Sequence, residues 1–280
     1  MAWWGKLLGG AFGFMLGGPL GAVLGAALGH QYDKGLAALP DMGKAQREPP
    51  EERELNQTAF FTATFSVMGH IAKADGVVTR EEIRFAEAVM QQMELSPQQR
   101  KTAINLFREG KKKSFRVGEV LDQFHAQLGR QRNLIRMFLE IQVQAAYGDG
   151  RKHPQEHRIL QSIARQLGIP ETELGMIEEM VLASMHFSQE EQRQDEPRRE
   201  RRRKTSPGVS SLNDAYAMLE IDRTSSDSEV KKAYRRMLSR HHPDKLASKG
   251  LPEEMMQIAA EKTHQIRQAY EMIKQSRGMR

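Results

Sequence analysis

Cysteine is absent from this chain. That excludes disulfides, thiolate nucleophiles and thiolate metal ligands, and leaves histidine and carboxylates as the only strong zinc ligands. The absence suits a reducing compartment. Aromatic residues are also scarce, at 6%, and none accompanies the most basic run, which removes the stacking platform that a single-strand nucleic-acid site requires. Convincing strand alternation is missing from the central part of the chain, as are a phosphate-binding glycine loop and any nucleophile–base pair. An enzyme acting by its own catalytic constellation is therefore not expected.

The sequence does carry an excess of positive charge, net +6. Such a balance fits an acidic protein partner, anionic lipid or nucleic acid. Much of it is concentrated in Arg198-Arg199-Glu200-Arg201-Arg202-Arg203-Lys204, which reads first as a solvated linker and second as a segment attracted to anionic head groups. Nucleic acid is not an expected partner.

After a short tail, residues 1–6, the stretch 7–29 contains no charged side chain. As a helix it would reach ~34 Å, enough for a hydrocarbon core of ~30 Å. Trp3 and Trp4 precede it, where an interfacial aromatic anchor belongs. A cleaved signal has a shorter apolar centre, so a retained transmembrane helix is expected, ahead of a signal peptide or a buried soluble hairpin. Lys6 stands before the span and Lys34, Lys44 and Arg47 follow it. This asymmetry is expected to put everything after the single pass in the cytoplasm and the short N-terminal tail on the opposite side of the membrane. Gly9, Gly13, Gly17, Gly21, Gly25 and Gly29 recur every fourth residue, a smooth stripe of the kind that lets two helices approach closely in a membrane. A homodimer through this helix is expected, with Pro19 kinking it.

Residues 30–54 hold Pro40, Pro49 and Pro50 among polar residues and read as a tether. In 55–187, apolar side chains recur at three- and four-residue steps, as in Ile83, Ala86, Val89, Met90 and Met93. They predict helices over about 55–73, 80–94, 97–109, 116–128, 131–147, 155–167 and 171–186. There is an internal repeat. Ala72, Asp75, Gly76, Glu82, Arg84, Val89, Gln92, Met93 and Leu95 align, at one constant offset, with Ala146, Asp149, Gly150, Glu156, Arg158, Ile163, Gln166, Leu167 and Ile169. The shared unit, helix, Asp-Gly turn, helix, resembles the TerB-like helical domain of tellurite-resistance proteins. Asp75 with Glu82, Asp149 with Glu156, and His153 or His157 could be offered as metal ligands. The ligand count falls short of a calcium loop, and turn closure by Asp and Gly explains the pattern better. No metal or cofactor is expected, and the domain reads as an interaction or positioning module.

A charged linker, 188–210, leads to the segment 211–280. There Val230, Ala233, Tyr234, Met237 and Leu238 make one face of a helix whose other face carries Lys231, Lys232, Arg235, Arg236 and Arg240. Pro243 ends that helix, and a second long helix of about 253–275 returns antiparallel to it. Four motifs fall in order: Tyr216-Ala217-Met218-Leu219, Lys231 to Arg236, His242-Pro243-Asp244-Lys245, and Gln268-Ala269-Tyr270-Glu271. Together they resemble the J-domain of the DnaJ family, and the whole chain resembles membrane-anchored DnaJ-like co-chaperones. The resemblance implies an all-α protein whose J-domain docks on a DnaK-type chaperone and stimulates its ATPase. It implies that Asp244 is the indispensable contact, that His242 and Pro243 present it, and that Lys231, Lys232, Arg235 and Arg236 steer the encounter, extended by Arg240 and Lys245. Two positions depart from the family pattern. Glu220 replaces a common glycine and is expected to alter the turn there. Thr263 replaces a common phenylalanine and removes core volume. No Gly/Phe-rich or cysteine-rich module follows. The alternative reading is a membrane scaffold or adaptor acting mainly through the TerB-like domain.

The glycine stripe generates a direct expectation. Replacing Gly17 and Gly21 together by leucine should abolish self-association of the 7–29 segment in a membrane dimerisation reporter, without impairing insertion.

Overall fold

The computed structural model describes residues 18–32, 52–73, 87, 89–91, 93, 95–148, 153–195 and 209–279. All regular structure among them is helical. Helix α1 spans Gly18–Tyr32, α2 Glu52–Ile71, α3 Pro97–Gly110, α4 Val117–Leu128, α5 Arg132–Ala146, α6 Pro154–Gln166 and α7 Glu171–Asp195. The C-terminal domain follows as α8 Val209–Met218, α9 Asp227–His241, the short α10 Pro243–Ala247, a 3-10 turn Glu253–Met255, and α11 Met256–Arg277.

Local chemistry explains the boundaries. Ser96 accepts from the Gln99 backbone N–H at 3.3 Å and Gln99 Oε1 accepts from the Ser96 N–H at 2.8 Å, a capping box with Pro97 in the first turn of α3. Ser226 and Glu229 form the same box at the start of α9. Pro154 opens α6. Helix α7 runs to Asp195, beyond its expected end near 186.

Helix α2 is the axis of the middle domain. It is buried almost all round, so its periodicity is weak, and two of its hydroxyls bond back to its own carbonyls: Ser66 Oγ donates to Thr62 O at 2.7 Å and Thr58 Oγ1 to Glu54 O at 2.9 Å. Phe60 of α2, Phe124 of α4 and Phe138 of α5 meet at ring separations of 6.1, 6.3 and 4.6 Å, the geometry of a tilted aromatic cluster. The first helices of the two repeat units, α2 and α5, thus pack on each other, and Gln142 Nε2 donates to Thr64 O at 3.2 Å across them.

Helix α1 has 15 residues, and among the described residues no helix is long and apolar enough to cross a membrane. Residues 7–17 of the expected span, with Gly9, Gly13 and Gly17, lie outside the described residues. Leu20 and Leu24 are fully buried, because α1 packs against α2, α3 and α4. The Leu20 N–H donates to Gln123 Oε1 at 2.8 Å. Gly21 is buried, whereas Gly25 faces open space.

Helices α2 and α3 cross so closely that only glycine fits. A Cβ on Gly69 would stand 2.0 Å from Phe107 O, and one on Gly110 would stand 1.8 Å from Ser66 O. Both obstacles are backbone, so the helices themselves must separate to admit a methyl group. Gly110→Ala is expected to destabilise the domain by about 3 kcal/mol, the upper end of overpacking costs, read as a fall in the thermal midpoint of the purified chain.

Candidate docking loop and its setting

The His242-Pro243-Asp244 loop sits between α9 and α11. His242 is extended at ψ 121°, as the residue before a proline should be, and α9 stops at His241. Pro243 also opens a helix: it occupies the first position of α10, and His242 Nδ1 accepts the Asp244 backbone N–H at 3.2 Å as its cap. The Asp244 side chain is 88% exposed and that of His242 is 45% exposed. Lys245 is exposed, with Nζ donating to Ser239 Oγ at 2.6 Å.

The expected basic face of α9 is only partly free. Lys232 and Arg235 are exposed and Lys231 is half-buried. Arg236 is exposed but reaches back, donating to Leu219 O at 3.2 Å at the end of α8. Arg240 turns inward, and its Nη1 donates to Glu220 Oε2 at 2.7 Å. Asp244, Lys245, Lys232 and Arg235 are therefore the predicted contacts that face solvent with the fewest internal ties.

The two departures from the family pattern are both accounted for. Glu220 adopts a left-handed backbone, φ 54°. The Ile221 N–H reaches Tyr216 O at 3.2 Å and the Glu220 N–H reaches Ala217 O at 3.0 Å, the closure that usually takes glycine. The turn keeps a glycine-like shape although the residue is not glycine. The Glu220 carboxylate, 4% exposed, lies between Arg240 and Arg136 of α5, with the latter in direct contact. Thr263 fills less volume than an aromatic ring but donates its hydroxyl to Ala259 O at 2.8 Å and lies 3.1 Å from His241 O. It ties α11 to the last residue of α9.

Beside this loop lies a buried polar interface between the C-terminal and middle domains. His241 Nε2 stands 3.0 and 3.1 Å from the two oxygens of Glu140 on α5, and its Nδ1 3.0 Å from Met237 O. Burial works hardest to raise the Glu140 pKa, but the charges of His241, Lys262 and Arg136 and the His241 hydrogen bond outweigh it, and hold this carboxyl at about 2. Glu140 is therefore ionised and can only accept. The other ring nitrogen faces the Met237 carbonyl, so His241 is held between two acceptors, one on its own helix and one on α5. Burial pulls Arg136 down, and Glu140, Glu220 and Glu173 more than reverse it. Lys262 is lowered by burial, with Glu140 opposing the shift. Its Nζ lies 3.0 Å from Ser184 Oγ on α7.

The metal candidates do not converge. Asp75, Glu82 and Asp149 lie outside the described residues. His157 Nδ1 is 2.7 Å from Glu178 Oε1, which also accepts from Tyr147 OH at 2.6 Å. Burial, then Glu178, push the Tyr147 phenol well above its ordinary value. Among the described residues no group of three or more His, Cys, Asp or Glu side chains could hold a metal ion.

Three family models match the chain in order: a co-chaperone DjlA transmembrane domain over residues 1–39, a tellurite resistance protein TerB over 61–179, and a DnaJ domain over 214–278. Curated relatives named co-chaperone protein DjlA are similar over the whole length. The one from Photobacterium profundum is 42% identical over 99% of this chain and 100% of its own. Those from Vibrio cholerae and Coxiella burnetii are each 41% identical, covering 99% and 100% of this chain and 99% and 100% of their own. No solved structure matches.

Sequence reasoning missed Glu140, Arg136, Lys262 and Ser184. Their signal was faint: charged or hydroxyl side chains at positions where helical periodicity places the buried face. Glu220 was visible as a departure without a reason. Its replacement decides between two effects. Glu220→Gly relieves about 1 kcal/mol of left-handed strain, but removes a buried carboxylate from two arginines, at about 3 kcal/mol or more. A net loss of about 2 kcal/mol is expected in thermal unfolding of the purified chain.

Proposed function

The chain belongs to the DjlA co-chaperone family, and from that premise we propose that its J-domain docks on a DnaK-type chaperone and stimulates that partner's ATPase. The observation that carries this reading is the exposed Asp244 carboxylate at the head of α10, together with the solvent-exposed Lys232 and Arg235 on the preceding helix α9. A basic surface next to an acidic chaperone face speeds encounter and fixes register. Asp244 adds one charged contact whose loss is not compensated internally. His242 and Pro243 shape the loop. Hydrolysis belongs to the partner, so the J-domain acts by favouring the partner's hydrolysis-competent state. Lys231, Arg236, Arg240 and Lys245 belong to the same surface in this reading, with Arg240 acting through Glu220.

In the same reading residues 7–29 anchor the chain in the bacterial inner membrane, with the N-terminal tail periplasmic and both folded domains cytoplasmic. Two copies pair along the glycine stripe; the strict register of that stripe and the open surroundings of Gly25 support this. For the segment to span a bilayer, Leu20 and Leu24 must leave the middle domain.

The purified full chain in detergent should stimulate ATP turnover by a DnaK-type chaperone, and Asp244→Asn should reduce that stimulation at least tenfold, roughly the effect of ~1.4 kcal/mol in docking. Its thermal midpoint should not move, because the side chain stands in solvent. Absence of stimulation by the unaltered chain would overturn the reading. Stimulation that survives Asp244→Asn would favour the scaffold alternative.

A further inference from the structure

The exposed loop is held at both flanks by a different domain. On the N-terminal side, His241 immediately precedes the loop, is 2% exposed, and bonds both oxygens of Glu140 on α5. On the C-terminal side, the chain turns at Gly250, whose φ is +103° and which is so close to α2 that a Cβ would stand 2.5 Å from Asn56 Cβ. Leu251 is fully buried, and its carbonyl accepts from Gln57 Nε2 of α2 at 3.4 Å. Glu254, at the entry to α11, accepts from Gln99 Nε2 of α3 at 2.5 Å. The segment after the loop, longer than in many J-domains, thus has a structural use: it reaches the middle domain.

We infer that the TerB-like domain sets the position of the His242-Pro243-Asp244 loop, with Glu140 and His241 as positioning residues before it and Gln57 and Leu251 as the clasp behind it. This rests on the docking function proposed above. Neither Glu140 nor Gln57 is exposed, so neither can touch a chaperone; each acts through the loop. The groups around His241 make the pin specific. Arg136 and Glu140 come from α5, Lys262 and Thr263 from α11, and Glu220 from the turn after α8. A network of this kind adds little net stability compared with apolar packing, but permits few other arrangements. Fixing a contact loop in advance removes an ordering cost that docking would otherwise carry. The J-domain therefore meets its partner as one face of a two-domain body, with the side turned to α5 and α7 already occupied.

The test uses the full chain in detergent micelles with a purified DnaK-type chaperone, at a temperature where every variant is folded. Glu140→Ala removes the pin; Glu140→Gln keeps an acceptor for the ring N–H. Two quantities are read: amide hydrogen exchange over residues 244–251, and the concentration giving half-maximal ATPase stimulation. In Glu140→Ala exchange should quicken about tenfold and the half-maximal concentration rise about tenfold, with the maximum unchanged; Glu140→Gln should restore both to within about twofold. Should Glu140→Ala not fold, Gln57→Ala is expected to move both quantities the same way, by about threefold. Unchanged exchange in the folded variants overturns the inference, whatever the ATPase does. Faster exchange with an unchanged half-maximal concentration overturns it too, since the contact is then structural only. If the unaltered chain gives no stimulation, it is the docking function that fails, and exchange alone decides whether the middle domain pins the loop.

Discussion

Two buried carboxylates, Glu140 and Glu220, are the constraint on which the arrangement of the folded domains depends. Each is almost inaccessible to water and each is matched by partners from the opposite domain: Glu140 by the His241 ring and the Lys262 charge, Glu220 by Arg136. An ionised group in such a place is tolerable only with its partners present. The geometry is therefore close to all-or-none. Sliding one domain over the other by a few ångströms would strand several charges together, whereas an apolar interface of equal size would tolerate the slip. This is specificity obtained at little net gain in stability.

The division of labour follows. The middle domain is a helical body built on α2 and stiffened by the glycine crossing with α3 and the aromatic cluster of Phe60, Phe124 and Phe138. The C-terminal domain closes its own far end independently: Arg277 donates to Tyr216 OH at 2.5 Å and to the carbonyls of Ser225 and Arg223, each at 2.6 Å. Between these ends the loop stands outward, while the residues before and after it face inward. Mobility that a solvent-exposed loop would ordinarily have is restricted by its neighbours without covering the loop itself.

The helical layout was legible because amphipathic periodicity and caps are local signals. Pro97, Pro154 and the Ser226–Glu229 box fall where helices begin. The J-domain was legible because four motifs in fixed order carry far more information than one tripeptide. What escaped was long-range. Nothing in the spacing of Arg136 and Glu140 reveals that residues about a hundred positions away neutralise them. The inward turn of Arg240 escaped for the same reason: its partner, Glu220, belongs to another element. Pro243 was read as a terminator and also proved an initiator, since its missing N–H suits the first turn of a helix as well as it ends the one before. Helix α2 gave a blurred pattern because it is buried on nearly every side.

Glu220 in its left-handed turn has a consequence for how this chain can change over generations. At that position a glycine would relax the backbone, yet the carboxylate is committed to an arginine in a separate domain. A substitution on either side leaves its mate with one remaining close partner, Glu173 for Arg136 and Arg240 for Glu220, so a change in one domain is felt in the other. A J-domain transplanted from an unrelated protein would keep its tripeptide and still lack the seat.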